Sequence, residues 1–214
     1  MSRINQRRRT VISAALACAL SPSLLWASQR EETLADNVAS TMRRSVNNVS
    51  PARLVFSTPQ AGRQWLYEMS ARLAKFIPDA RERETILINV QYEAKRAGLD
   101  VQLILGLIEV ESMFRRYAIS GVGARGLMQV MPFWVRHIGT SGHNLFEIRT
   151  NLRYGCTILR YYIDRERGDI TRALARYNGS LGRMTYPNKI YAAMRRNWIY
   201  NGAVSFGQNL GTIC

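Results

Sequence analysis

The chain has 214 residues, of which 47% are apolar and 21% are charged. This balance excludes a disordered chain and allows one domain with a hydrophobic core plus an appendage. The formal net charge of +15 indicates an anionic partner, and the candidates are nucleic acid, an anionic cell-wall polymer and a membrane surface.

The N-terminal residues have the pattern of a secretory signal. Four arginines precede an apolar stretch at 10–19, and small residues follow near 26–28. We predict a signal peptide over residues 1–27, with an uncleaved N-terminal anchor as the alternative. Its removal would delete four arginines and no acid, which lowers the net charge from +15 to +11. Export to the periplasm or cell envelope favours a wall or membrane partner over nucleic acid.

Apolar residues at helical spacing dominate the rest of the chain, and almost no strand pattern occurs. The prediction is an all-α fold with residues 61–200 as one domain, residues 28–60 as an N-terminal helix and linker of unknown role, and residues 201–214 as a C-terminal tail. Caps, prolines and glycines place the helices of the domain at 62–77, 82–97, 101–111, 132–138, 151–167, 170–177 and 187–194.

Two cysteines would remain after removal of a signal peptide, Cys156 and Cys214. In an oxidising compartment they can form a disulfide. Cys214 is the last residue of the sequence, so an unpaired, frayed terminus is an equal alternative. Both interpretations stay open at this stage.

Residues 121–126 fit the dinucleotide-binding pattern G-x-G-x-x-G, and Glu147 follows about 20 positions later, as that pattern requires. A dinucleotide site also needs a strand before the glycines and a continuous helix after them. Here a helix that ends near Ser112 precedes them, and Pro132 interrupts the segment that follows. We therefore exclude a nucleotide site and expect the glycines to let the backbone turn tightly and pass close to another group.

Glu111 ends the most apolar helix, immediately before this polar loop. Partial burial there would raise the pKa of its carboxyl and make it a general acid at neutral pH. A solvated glutamate at a helix end is the alternative. Glu109 lies about 200° away around the helix and should form a surface contact or a salt bridge. Nothing ties Glu147 or Asp164 to Glu111, so the pattern offers one acid without a partner acid.

A series of ordered motifs resembles the SLT-type lytic transglycosylases over roughly residues 85–197. The motifs are Glu111-Ser112, the loop SGVGARGLMQVMP at 120–132, Asn151 with Gly155, and Tyr177-Asn178-Gly179. The resemblance implies a lysozyme-like helical domain, of the goose-type and SLT kind, in an exported enzyme that cleaves peptidoglycan. Gly179-Ser180 stands where family members often have Ala-Gly, a difference that affects a turn or a subsite.

The resemblance also implies the roles of individual residues. Glu111 would be the sole catalytic carboxyl, which fits the missing partner acid and cleavage assisted by the substrate. Asn151 and Gly155 look structural, one bracing the loop and one allowing close helix packing. No cofactor and no metal are expected. The residues predicted to bind substrate are Ser120, Gln129, Met131, Tyr177 and Asn178.

Each of these residues also has a structural alternative. Ser120 and Asn178 can serve only to form turns, and Gln129 can be a satisfied buried amide. Met131 can belong to the core. Tyr177 is expected either to hydrogen-bond Glu111 and orient it or merely to pack.

Three other functions compete with a transglycosylase. A goose-type lysozyme would hydrolyse the same bond with a similar lone glutamate. A noncatalytic wall-binding protein could serve a secretion or conjugation apparatus, which is also a candidate partner of an active enzyme. A nucleic-acid binder would explain the charge but needs no export signal. We expect a monomer whose partner is the peptidoglycan glycan strand, with no nucleic acid.

Overall fold

A computed structural model describes residues 29–48 and 50–201. The predicted signal peptide, Cys214 and the tail from residue 202 onward lie outside the described residues. The described part of the chain contains eight α-helices and a closing π-helical turn, and its only β-type pairing consists of isolated bridges within residues 119–130. The predicted all-α class is therefore confirmed.

The helices follow the predicted order. They are α1 Asp36–Val46, α2 Pro59–Leu73, α3 Ala80–Arg96, α4 Val101–Ser112, α5 Phe133–Ile138, α6 Ile148–Arg165, α7 Ile170–Tyr177 and α8 Thr185–Ala193, followed by the π-helical turn Met194–Trp198.

Side-chain caps explain several of the helix starts. Asp79, Asp100 and Asp169 each accept a hydrogen bond from a backbone N–H in the first turn of α3, α4 and α7. Pro187 was predicted to begin the last helix but is its third residue. A proline is tolerated there because the first-turn N–H groups have no partner within the helix.

Helix α4 forms the centre of the hydrophobic core. All its residues from Leu103 to Glu109 are buried. It packs against α3, α8 and the π-helical turn. A Cβ atom at Gly106 would lie 3.0 Å from the carbonyl oxygen of Ile190, so the absent side chain lets α4 and α8 approach closely. This close approach brings the start of α8 beside the end of α4.

The N-terminal segment packs on the same core as the rest of the chain. Met42 and Val46 of α1 belong to the central hydrophobic cluster, and α1 contacts α5 and α6. Before α1, Glu32 forms ion pairs with Arg165 and Arg176. Residues 29–46 thus cover one side of the predicted domain. The predicted boundary at residue 61 falls within α2, which begins at Pro59.

Cys156 lies in α6 and is completely buried. Burial raises the pKa of its thiol well above the usual value, so the group is a neutral core thiol. Its pairing with Cys214 stays a prediction, because Cys214 lies outside the described residues. Within residues 29–48 and 50–201, no helix is both long enough and apolar enough to span a membrane.

Candidate active site

Glu111 lies in the last turn of α4, where its carboxyl is surrounded by protein although the residue keeps some exposed surface. The hydroxyl of Tyr186 donates a hydrogen bond to its Oε1. Burial raises the pKa of Glu111 to about 7, and the Tyr186 hydrogen bond lowers it to a smaller extent. A carboxyl with this pKa can both give up and accept a proton near neutral pH.

The tyrosine that contacts Glu111 differs from the predicted one. The Tyr177 hydroxyl donates instead to the backbone carbonyl of Met128, at 2.8 Å. Tyr186 comes from the first turn of α8, which the close packing of α4 and α8 places beside Glu111. Burial, followed by the charge of Glu111, raises the pKa of both phenols well above the usual value. Both hydroxyls are therefore neutral hydrogen-bond donors, and Tyr177 still lies within electrostatic reach of Glu111.

The backbone directly after Glu111 is strained. Met113 and Phe114 have φ angles of 51° and 60°, in the left-handed region that residues other than glycine rarely adopt. Phe114 is buried beside Trp198, and the Ser112 hydroxyl donates to the carbonyl of Leu127 at 2.8 Å. These contacts hold the chain in its sharp turn away from α4, and strain of this kind is concentrated at functional sites.

The glycine-rich loop packs tightly against α6. A Cβ atom at Gly126 would lie 2.4 Å from the Asn151 side-chain nitrogen, and one at Gly155 would lie 2.3 Å from the Met128 sulfur. Asn151 accepts a hydrogen bond from the Met128 N–H and donates to the carbonyls of Arg125 and Leu145. The predicted close approach is confirmed at Gly126, whereas a Cβ atom at Gly121 or Gly123 would meet nothing within 4 Å. The predictions that Asn151 braces the loop and that Gly155 allows close packing are confirmed.

Two of the predicted binding residues make turn contacts. The Ser120 hydroxyl accepts a hydrogen bond from the Ala124 N–H at 3.0 Å, within the glycine loop. Asn178 follows the last residue of α7, and its side-chain amide donates to the Ser180 hydroxyl. Both contacts correspond to the turn-forming alternative, and both side chains remain half-exposed. Their binding of substrate stays a prediction.

Gln129 and Met131 form the end of the same loop. Gln129 is buried with a φ of 47°, and its side-chain nitrogen donates to the carbonyls of Ala118 and Gly126. These donors stabilise the loop, which favours the interpretation of Gln129 as a satisfied buried amide. Met131 is half-buried against the core. Its backbone N–H points to Gln29, whose side-chain oxygen accepts it at 3.2 Å.

Glu109 faces a different part of the molecule from Glu111, as its helical position predicts. Its carboxylate accepts hydrogen bonds from Arg196, Asn197 and Trp198, with distances from 2.7 to 2.9 Å. The predicted salt bridge forms with Arg196, but Glu109 is buried rather than on the surface. This carboxylate connects α4 to the π-helical turn and has no contact with the Glu111 site.

Two residues of the site had no assigned role in the sequence analysis, Tyr186 and Gln29. Tyr186 precedes Pro187 in a segment that resembles no catalytic motif by itself. Gln29 is separated from Met131 by about one hundred positions, and no local pattern indicates their contact. Among the described residues, no cluster of three or more histidine, cysteine or acidic side chains has an arrangement that could hold a metal ion.

Residues 88–198 match the sequence profile of the family described as Transglycosylase SLT domain. This segment is just over half of the chain. The chain belongs to this family. The SLT domain contains Glu111, Tyr186 and the whole glycine loop, and the resemblance drawn from the motifs is confirmed. Gln29 lies outside the matched segment.

Known proteins with similar sequences carry related names. A transglycosylase of Enterobacteria phage PRD1 is 34% identical in an alignment of 100 residues that covers 44% of this chain and 37% of the phage protein. Membrane-bound lytic murein transglycosylase C of Actinobacillus pleuropneumoniae serotype 5b is 35% identical in an alignment of 123 residues that covers 53% of this chain and 32% of that protein. The chain thus spans about a third of the length of these relatives.

Among solved structures, lytic transglycosylase Slt from Pseudomonas aeruginosa, in an inactive mutant form, is also similar. The match covers 73% of this chain and 32% of Slt, with 24% sequence identity and a TM-score of 0.42.

Proposed function

We propose that the protein is a lytic transglycosylase that cleaves the β-1,4 bond between N-acetylmuramic acid and N-acetylglucosamine in peptidoglycan. The observation that carries this proposal is Glu111, a carboxyl with a pKa of about 7 beside a donor hydroxyl from Tyr186. A general acid needs a pKa near the working pH, and a surface glutamate would be ionised there. Membership of the SLT family supports the choice of substrate.

In the proposed reaction, protonated Glu111 donates its proton to the glycosidic oxygen, and the bond from that oxygen to C1 of the muramyl residue breaks. The Glu111 carboxylate then removes the proton from the C6 hydroxyl of the same muramyl residue. The C6 oxygen attacks C1, which gives a 1,6-anhydromuramyl end and restores the protonated acid. No second carboxyl and no water are required, in contrast to the two-carboxylate route.

Tyr186 would keep the Glu111 carboxyl oriented through both proton transfers. Its hydrogen bond favours the carboxylate, and burial favours the neutral acid, so the two effects together hold the pKa near neutrality. Ser120, Met131 and Asn178 are the candidate contacts to the glycan, because each lies on a loop and is incompletely buried. Gln129 and Tyr177 would act through the loop that they stabilise.

The net charge, +15 for the whole chain and +11 without the predicted signal peptide, suits an acidic substrate, since peptidoglycan carries carboxylates on its peptides and muramyl groups. Location in the periplasm or cell envelope follows from such a substrate and from the predicted export signal. Service to a secretion or conjugation apparatus and a monomeric state are further predictions from the sequence.

Mass spectrometry of purified peptidoglycan digested by the protein tests the proposal. Products that end in 1,6-anhydromuramic acid are expected. They are lighter than the hydrolysed products by the mass of one water, about 18 mass units, because no water is added. Reducing ends instead would indicate the lysozyme-type hydrolase. If the folded protein cleaved no peptidoglycan at all, the noncatalytic wall-binding alternative would be indicated. The Glu111→Gln variant serves as the matched control and should release almost no product.

A further inference from the structure

The side chain of Gln29 is bound to the backbone of the loop beside Glu111. Its amide nitrogen donates to the carbonyl of Gln129 at 3.4 Å, and its oxygen accepts from the N–H of Met131 at 3.2 Å. Only 5% of Gln29 is exposed. The Gln129 carbonyl and the Met131 N–H lie two residues apart in this loop and form a matched acceptor and donor for a single amide group.

This backbone pair belongs to the loop that is tied to the end of α4, because the hydroxyl of Ser112, next to Glu111, donates to the carbonyl of Leu127 at 2.8 Å. Burial raises the pKa of the Tyr177 phenol, and the neighbouring Gln29 amide lowers it to a smaller extent. Tyr177 in turn bonds the carbonyl of Met128, and the charge of Glu111 reaches it. The Gln29 amide therefore occupies a position on the loop that also contacts the surroundings of Glu111.

The glycan strand of peptidoglycan carries the same chemical group. Every sugar has an acetamido substituent, whose N–H donates and whose carbonyl accepts, as the carboxamide of glutamine does. Resting on the proposed function, we propose that the Gln29 side chain occupies, in the free protein, the backbone position at Gln129 and Met131 that a glycan acetamido group would take. The N-terminal segment then competes with the substrate for this position.

The attachment of this segment is suited to release. Beyond Gln29, Glu31 pairs with His137 and Arg136, and Glu32 pairs with Arg165. These side chains are partly exposed, and ion pairs of this kind contribute little to stability. A glycan strand that makes further contacts along the protein can therefore displace the segment.

When a segment of the chain occupies the site, the apparent affinity for the glycan equals the intrinsic affinity multiplied by the fraction of molecules in which the site is free. If the docked form is about ten times as populated as the released form, loss of docking tightens glycan binding roughly tenfold. Gln29→Ala removes the competing amide and leaves the backbone site intact. A residue that only supported the loop would have the opposite effect, because its loss would weaken glycan binding.

The test measures binding of the N-acetylglucosamine tetramer by calorimetry to the full chain. Every variant also carries Glu111→Gln, so that no turnover occurs. We expect Gln29→Ala to lower the dissociation constant roughly tenfold. Gln60→Ala, at an exposed glutamine of α2, is the matched control and should change nothing. Unchanged or weaker binding in Gln29→Ala, or no binding in any variant, overturns the proposal.

Glu32→Gln gives a second route that keeps the Gln29 amide and the core unchanged. It weakens only the attachment to Arg165 and Arg176, so binding should tighten by a smaller factor, roughly twofold to threefold. Weaker binding in this variant would also contradict competition. The outcome is separate from the proposed reaction, because digests that contain reducing ends would refute the transglycosylase and leave these binding results standing.

Discussion

Glu109 and Glu111 are two residues apart on α4, and their environments differ in almost every respect. Glu109 accepts hydrogen bonds from three residues of the π-helical turn, including the Arg196 guanidinium. Glu111 receives one hydrogen bond, from the Tyr186 phenol, and its pKa is raised to about 7. A carboxylate surrounded by donors becomes a structural anchor, whereas one buried with a single neutral donor becomes a proton carrier.

The largest expected effect is on enzyme activity, which substitution of Glu111 should reduce far more than substitution of Glu109. Glu111→Gln removes the transferable proton and should reduce peptidoglycan turnover roughly 10³-fold, within the range of general acid–base catalysis. Release of soluble muropeptides measures it. Glu109→Gln should keep turnover per folded molecule within about threefold, because Glu109 lies outside the reacting site. Equal losses in the two variants would contradict the separation of roles.

The next effect is on stability and its dependence on pH. The folded state raises the pKa of Glu111 from 4.5 to about 7, so between these values the folded protein binds more protons than the unfolded chain. Stability from this group is therefore lost as pH rises, by roughly 3 kcal/mol above pH 7. Glu111→Gln should match the parent protein below pH 4.5 and exceed it at pH 8, as measured by urea unfolding. A constant difference across this range would contradict the raised pKa.

Glu109→Gln should have the reverse effect on stability. The amide has one acceptor oxygen in place of two, and its nitrogen faces the donors of Asn197 and Trp198, so buried donors lose their acceptor. We expect a loss of about 2 kcal/mol in unfolding free energy. Urea unfolding at pH 7 alongside Glu111→Gln gives the measurement. A gain in stability in Glu109→Gln would show that its hydrogen bonds do not anchor the π-helical turn.

The smallest expected effect distinguishes the two tyrosines. Tyr186→Phe removes a donor that favours the carboxylate, so the pKa of Glu111 should rise further and the alkaline limb of the pH–activity profile should move to higher pH. Turnover at pH 7 should fall by roughly tenfold, about 1.4 kcal/mol. Tyr177→Phe is the control, because its hydroxyl bonds Met128 and the limb should stay in place. If the alkaline limb moved in Tyr177→Phe and not in Tyr186→Phe, Tyr177 rather than Tyr186 would be the tyrosine that hydrogen-bonds Glu111.

The contacts that the sequence predicts well are those set by short-range pattern. The helix caps at Asp100 and Asp169 depend on neighbouring residues only. The opposite orientations of Glu109 and Glu111 follow from helix geometry.

The choice between Tyr177 and Tyr186 could not be made in this way. Both are aromatic residues near the start or end of a short helix, and either could reach Glu111. The packing of α8 against Gly106 decides which hydroxyl does, and that contact is known only from the folded arrangement. Gln29 illustrates the same point more strongly, since its partners lie about a hundred residues away.

The most direct measurement is a carbon-13 NMR titration of the glutamate side-chain carboxyls, with Glu111→Gln used to assign the signal of Glu111. A carboxyl that titrates at about 7 and is missing from the variant is the expected result. A Glu111 signal that titrates near 4.5, the ordinary value, would mean that the carboxyl is ionised at neutral pH and cannot serve as the acid of the proposed reaction.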